Sequence, residues 1–292
     1  MDVGVALPQM TIGLDRDTIV AWCRAVDAGP FSSISAGERI TYDNLDGFTL
    51  CSAAATLTER VRILVNAVIV PWHSPALLAT QLASMDVLSG GRLEVAVGVG
   101  VREQDFAAVG VPMEGRFGRL DRAVAELHHL WAGGEAAGGG VVGPEPRQPG
   151  GPPILSTATH ARSLARAAQW ADGVSGFSLE ADIAEVANAF AMTRDAWLTA
   201  GRDAAPRLLS GTYVCLGPDA RDTLHAFASR YLAIFGETAA EAMAARLPVH
   251  DEDTLRAFLR GVRDEGADEC ILIPASSDVD LVGRLADVVA SV

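Results

Sequence analysis

"VLSGGRLEVAVGVGVREQDF", residues 87–106, holds two closely spaced glycine pairs around a run of valines. Leu93, Val95, Val97 and Val99 alternate with Glu94, Ala96, Gly98 and Gly100. That period of two marks a strand with one bulky face and one that shrinks toward its C-terminal end. A dinucleotide-binding turn needs a third glycine three residues after the second, and Glu103 stands there. The strand is also preceded by a helix rather than opening the chain. Ser74 is the N-cap, Pro75 takes the first helical position, Leu78, Leu82 and Met85 share a face, and Gly90 stops it. The unit therefore reads as one helix and one strand of a longer alternating series, not as a nucleotide fold.

Working outward, short apolar runs at 2–7, 31–36, 61–70, 92–99, 152–156, 173–177, 207–215 and 268–274 read as eight strands. Between them lie helical periodicities. Phe117, Leu120, Val124, Leu127 and Trp131 step by three and four, as do Leu224, Phe227, Tyr231 and Ile234, and Val279, Val282, Ala286 and Val289. Eight strand-helix units in 292 residues predict a single (β/α)8 TIM barrel spanning 1–292 rather than an open sheet. In such a barrel the valines of 93–99 face the helices. Gly98 and Gly100 then open space at the mouth, where a flat ring can approach the backbone, or they only relieve crowding inside the barrel. The glycine- and proline-rich stretch 132–151 is expected to be a mobile, non-helical excursion.

Composition narrows the chemistry. The net charge is −14, all 23 basic residues are arginine, and the chain has no lysine. Schiff-base aldolases, pyridoxal-phosphate enzymes and Walker-type P-loops are thereby excluded, because each needs an amine that no other side chain supplies. An acidic chain without a basic run is also a poor partner for nucleic acid or anionic membranes. Cys23, Cys51, Cys215 and Cys270 lack the spacing of a metal or redox pair and read as reduced core residues. No long apolar segment and no basic leader appear, so the expected location is cytoplasmic. His128 and His129 are adjacent on a helix and cannot share a face, His225 and His250 stand alone, and no metal site is expected.

"QLASMDVLSGGRLEVAVGVGVREQDFAAVGVP" resembles the signature region of the luciferase-like monooxygenase superfamily. The likeness continues through "RLDRAVAELHHLW", "PPILSTATHARSLARAAQWADG" and "EGADECILIPAS". This superfamily includes FMN enzymes of the bacterial luciferase type and many actinobacterial enzymes that use coenzyme F420. The resemblance implies a TIM barrel, commonly a homodimer, with a flavin or deazaflavin across its C-terminal mouth and a separate reductase supplying the reduced cofactor. It implies a bulge in the third strand, often with a non-prolyl cis peptide behind the ring, at Asn66, Ala67 and Val68. It puts Gln104 near the polar edge of the ring, although a solvated helix start is the alternative for that amide. The cofactor phosphate is expected at Thr157, Ala158, Thr159 and His160, in place of the glycine-rich turn of relatives. His160 can equally be a helix cap. Helix N-terminal amides and hydroxyls supply suitable donors for an anion.

In "FSSISAGERITYDN", Glu38 aligns with the position where relatives carry an acid or a histidine beside the ring. Glu38 is the first catalytic candidate and His73, in "VPWHSP", the second, as proton carriers. The plainer alternatives are a surface Glu38–Arg39 pair and an exposed loop histidine. Trp72 walls the pocket or covers the barrel rim. Arg92 starts a strand at the bottom of the barrel, where structural roles are expected. The expected activity is hydride transfer between F420 and a small organic substrate. An FMN-dependent monooxygenase using reduced flavin and oxygen is the alternative, and a flavin-binding barrel without catalysis is the second.

Overall fold

The computed structural model describes residues 1–292. Its strands are β1 (Asp2–Ala6), β2 (Ser33–Ala36), β3 (Arg62–Ile69), β4 (Leu93–Gly98), β5 (Ile154–Ser156), β6 (Gly173–Ser175), β7 (Arg207–Val214) and β8 (Glu269–Pro274). Each is parallel to the next, and β8 pairs with β1, so the sheet closes in chain order. All eight strands lie where the alternation places them, one or two residues shorter at some ends. The helices are α1 (Arg16–Ala28), α2 (Gly47–Leu57), α3 (Pro75–Ser89), α4 (Glu103–Ala108), α5 (Arg116–Trp131), α6 (Ala161–Ala167), α7 (Ile183–Thr199), α8 (Ala220–Leu232), α9 (Glu237–Ala244), α10 (Glu252–Asp264) and α11 (Asp280–Val289). Gly90 stops α3 at φ 71°, in the left-handed region where a Cβ is costly.

Alternation along the strands sorts side chains into two cores. Val65, Leu93, Val95, Val97 and Ile154 point outward and pack with the helices in one large apolar cluster. Leu64, Ala96, Leu155, Leu209 and Ile271 point inward and fill the middle of the barrel. Below them the bottom is ionic. Glu269, fully buried, accepts from Ser32 Oγ and Ser33 Oγ at 2.6 Å, Arg62 Nη2 at 2.7 Å and Arg207 Nη2 at 2.5 Å. Glu94 lies 3.1 Å from Arg207 and 3.8 Å from Arg62. Arg92 donates to the carbonyls of Ala55, Thr58, Val61 and Ser89, a structural role at the strand's start. Above the apolar layer, small residues leave the C-terminal mouth open.

Residues 132–151 form no helix, as their composition predicts, and hold only a Glu135–Val141 bridge. Their C-terminal end is tied down, which composition does not show. The fully buried Asp86 accepts from Gln148 N at 2.8 Å and from Gln148 Nε2 at 2.7 Å. All four cysteines are buried and free, and burial pushes the Cys23 and Cys51 thiols up to about 12. No helix is long and apolar enough to cross a membrane.

Candidate functional site

The mouth holds a cavity of about 610 Å³, within the ~300–1,000 Å³ of small-molecule sites. Its shape begins with β3. Asn66 pairs with Ala96 and Val68 with Val97, so Ala67 is the extra residue of a bulge. The bulge turns Asn66 and Ala67 both toward the mouth, and the Asn66–Ala67 peptide is cis. Gly37, at the end of β2, lies directly on this peptide: a Cβ there would stand 2.2 Å from Asn66 O. The buried Gln9 holds Gly37 in place. Gln9 Nε2 donates to Gly37 O at 2.8 Å and to Leu45 O at 2.7 Å, and Gly37 N donates back to Gln9 Oε1 at 3.0 Å.

Glu38 follows Gly37 and faces the cavity with its side chain only 5% exposed. Its Oε2 accepts from the backbone N–H of Ile69 at 2.6 Å, and its Oε1 lies 2.8 Å from His73 Nε2. Glu38 therefore pairs with His73, not with Arg39, and the surface ion pair is ruled out. Trp72 and His73 come off a short 3-10 turn, Val70–Trp72, that ends β3. Trp72 lines the cavity, packs edge-on against Phe106 with ring centroids 5.4 Å apart, and points its Nε1 at His73 Nε2, 3.0 Å away.

The structure gathers Glu38, Asn66, Ala67, Gly98, Gly100, Thr157, Ala158, Thr159 and His160 around this one cavity. A Cβ on Gly98 would stand 2.8 Å from Thr157 Oγ1, and one on Gly100 would meet Ile69 and Phe106 at 2.7 Å. Gly100 also has φ 71°, so turning and packing already require it there. Three expected residues lie outside the lining, and the first, His73, stands behind Glu38. Val68 is fully buried in the outer core, because the bulge restores alternation after Ala67. Gln104 is exposed and outside the cavity lining; its neighbour Asp105 turns inward and accepts from Thr41 N at 2.8 Å and from Thr41 Oγ1. His160 begins α6, its N–H donating to Ser163 Oγ at 3.2 Å.

Sequence reasoning missed the arginines and tyrosines of the mouth. Arg102, Arg116 and Arg166 line the cavity, as do Tyr213 and Tyr231. Arg166 pairs with Asp121, and both Arg116 and Arg166 approach the Phe117 ring, at 4.9 and 5.4 Å. Burial raises the Tyr213 hydroxyl well above the usual phenol range. The only sequence signal for Arg102 is its place after the Gly98–Gly100 pair. Tyr231 carried a helical period that reads as core.

The family model described as luciferase-like monooxygenase matches residues 2–290. An uncharacterized protein of Mycobacterium tuberculosis is 29% identical over 174 residues, 57% of this chain and 61% of that protein. The chain thus spans about three fifths of that curated relative's length. An FMNH2-dependent dimethylsulfone monooxygenase of Pseudomonas putida is 33% identical over 89 residues, 30% of this chain and 24% of that enzyme. Among solved structures, an F420-dependent secondary alcohol dehydrogenase in complex with an F420-acetone adduct superposes with a TM-score of 0.80, covering 100% of this chain and 99% of that one. At 15% identity that likeness shows the fold. With the family match running almost end to end over a closed eight-stranded barrel, the chain belongs to the luciferase-like monooxygenase family.

Proposed function

We propose that this protein is an oxidoreductase that binds coenzyme F420 across the barrel mouth and passes a hydride between it and a small organic substrate. The observation that carries this is the Glu38–His73 contact of 2.8 Å on the cavity wall. A hydride added to a carbonyl carbon leaves an oxygen that must take a proton, and the reverse reaction must give one up. Glu38 faces the cavity, and His73 behind it shares the proton.

The cavity fits such a cofactor. Gly37 lets the chain after β2 lie directly on the Asn66–Ala67 peptide, Gly98 leaves room for Thr157, and the Asn66–Ala67 bulge supplies a wall for a flat ring. Thr157, Ala158, Thr159 and His160 would hold the phosphate, with Arg116 and Arg166 adding charge. When bound, the deazaflavin supplies the hydride donor or acceptor; the protein positions it. Trp72, Phe106 and Ile69 exclude water from that side. The proposal carries with it a homodimer and a separate enzyme that regenerates the reduced cofactor.

The FMN reading draws on the Pseudomonas putida relative, an FMNH2-dependent monooxygenase. Titrating the purified protein with oxidised F420 and, in parallel, with FMN, followed by tryptophan quenching, separates the two. Selective F420 binding is expected. Selective FMN binding moves the protein to oxygen chemistry, and binding of neither overturns both.

A further inference from the structure

Three guanidinium groups gather around Tyr42 and Tyr231 beside the mouth of this acidic protein, and of them Arg102 lines the cavity. Arg39 Cζ lies 4.5 Å from the Tyr42 ring centroid and 5.0 Å from that of Tyr231. Arg102 Cζ lies 5.2 Å from the same Tyr231 ring. Arg230 completes the group, 5.9 Å from Tyr42, but it is engaged: its Nε donates to Tyr42 Oη at 2.8 Å and its Nη2 to Met10 O. None of the three has a carboxylate oxygen within 4.0 Å. Arg39 Nε and Nη1 and Arg102 Nη1 are buried without any hydrogen-bond partner. Asp105, the nearby acid, is occupied by Thr41.

Buried guanidinium N–H groups without acceptors are costly, and two like charges sharing one tyrosine ring compound that cost. Burial, and then Arg102 itself, hold the Arg39 guanidinium below its usual range, with Tyr231 and Asp105 opposing the shift. Arg102 and Tyr231 line the cavity, and Arg39 directly follows Glu38 in the chain. We infer that Arg39 and Arg102 form the subsite for a substrate carboxylate, so that the substrate is a small organic acid bearing a carbonyl or hydroxyl group within reach of Glu38. The planar forks suit a carboxylate, and Tyr213, Phe227 and Tyr231 supply an apolar wall for the carbon skeleton. The subsite is distinct from the one around Thr157–His160, Arg116 and Arg166. The redox role of the acid rests on the function proposed above; the carboxylate site itself does not.

Calorimetric titration tests it with benzoylformate and its neutral methyl ester on the wild type, R39Q, R102Q and R102K, with F420 and FMN affinities measured on each. The wild type is expected to bind the acid at least tenfold more tightly than the ester. That preference should vanish in R102Q, shrink in R39Q and survive in part in R102K, while cofactor affinity stays within twofold. Equal wild-type binding of acid and ester overturns the proposal without relying on any variant. Loss of cofactor affinity in R39Q and R102Q also overturns it, because the guanidinium pair then belongs to the cofactor. A wild type that prefers the acid but binds neither cofactor keeps the carboxylate site and removes the oxidoreductase function.

Discussion

Glu38 Oε1 and His73 Nε2 stand 2.8 Å apart, and Trp72 Nε1 reaches the same histidine nitrogen at 3.0 Å. One ring nitrogen carries either a proton or a lone pair. When His73 Nε2 is protonated it donates to Glu38 and cannot accept from Trp72. When it is not, its single lone pair can accept from the indole N–H or from a proton on Glu38, but not from both. Glu38 and the cavity-lining Trp72 therefore compete for one histidine nitrogen.

Glu38→Gln keeps an acceptor for the Ile69 N–H but cannot carry the proton. Turnover should fall by about 10²–10⁴, with cofactor affinity nearly unchanged. Steady-state kinetics beside a cofactor titration checks this. A variant as active as the wild type would remove Glu38 from the chemistry.

Gly37→Ala forces a methyl group onto Asn66 O, 2.2 Å from the new Cβ position, and the next nearest atoms, Asn66 C and Ala67 N, are backbone of the same peptide. We expect destabilisation of about 1–3 kcal/mol, the usual cost of overpacking, with cofactor affinity lowered at least tenfold because the displaced peptide is the cavity wall. Thermal unfolding and fluorescence titration read the two effects separately.

At the bottom of the barrel, Glu94 and Glu269 differ in what their charges do. Burial raises the Glu94 carboxyl despite Arg207, and the charge of Glu269 adds to the rise. A raised carboxyl contributes stability below its unfolded titration range and loses it as pH rises through its folded value. Urea unfolding from pH 4 to pH 8 should thus show Glu94→Gln gaining on the wild type as pH increases. Glu269→Ala removes the acceptor shared by Arg62, Arg207, Ser32 and Ser33. It should cost about 3–5 kcal/mol, as breaking a buried ion pair does.

Asp86→Ala strands the Gln148 amide groups and should cost about 1–3 kcal/mol. Limited proteolysis should then cut within 132–151 faster than in the wild type, since Asp86 ties the end of that segment. Unchanged cleavage would show that the tether does not order the segment.

The barrel was legible because its causes are local. A period of two in Leu93–Gly100, helical spacing in Leu120–Trp131 and the stop at Gly90 each depend on neighbouring residues, and eight such units leave few ways to close a sheet. Glu38, Ala67 and Thr157 were placed at the mouth by the family resemblance; Glu38 and Thr157 follow recognisable strands, and Ala67 lies within β3. Finer direction was not local. Gln104 and Asp105 differ by one residue at a helix start, and a rotation of about 100° per residue sends one to solvent and the other inward. Val68 was misdirected because the bulge at Ala67 reverses the alternation, and only the pairing with β4 reveals it.

By itself, then, the sequence determined the strand and helix series, the absence of amine chemistry and part of the set of residues that end at the mouth. Tertiary structure alone decided who meets whom there. Arg39, Arg102 and Tyr231 come from three distant segments, and Glu38 takes His73 rather than the adjacent Arg39 as its partner. Those contacts depend on how the closed ring of strands brings loops together across the barrel, a relation that no spacing along the chain encodes.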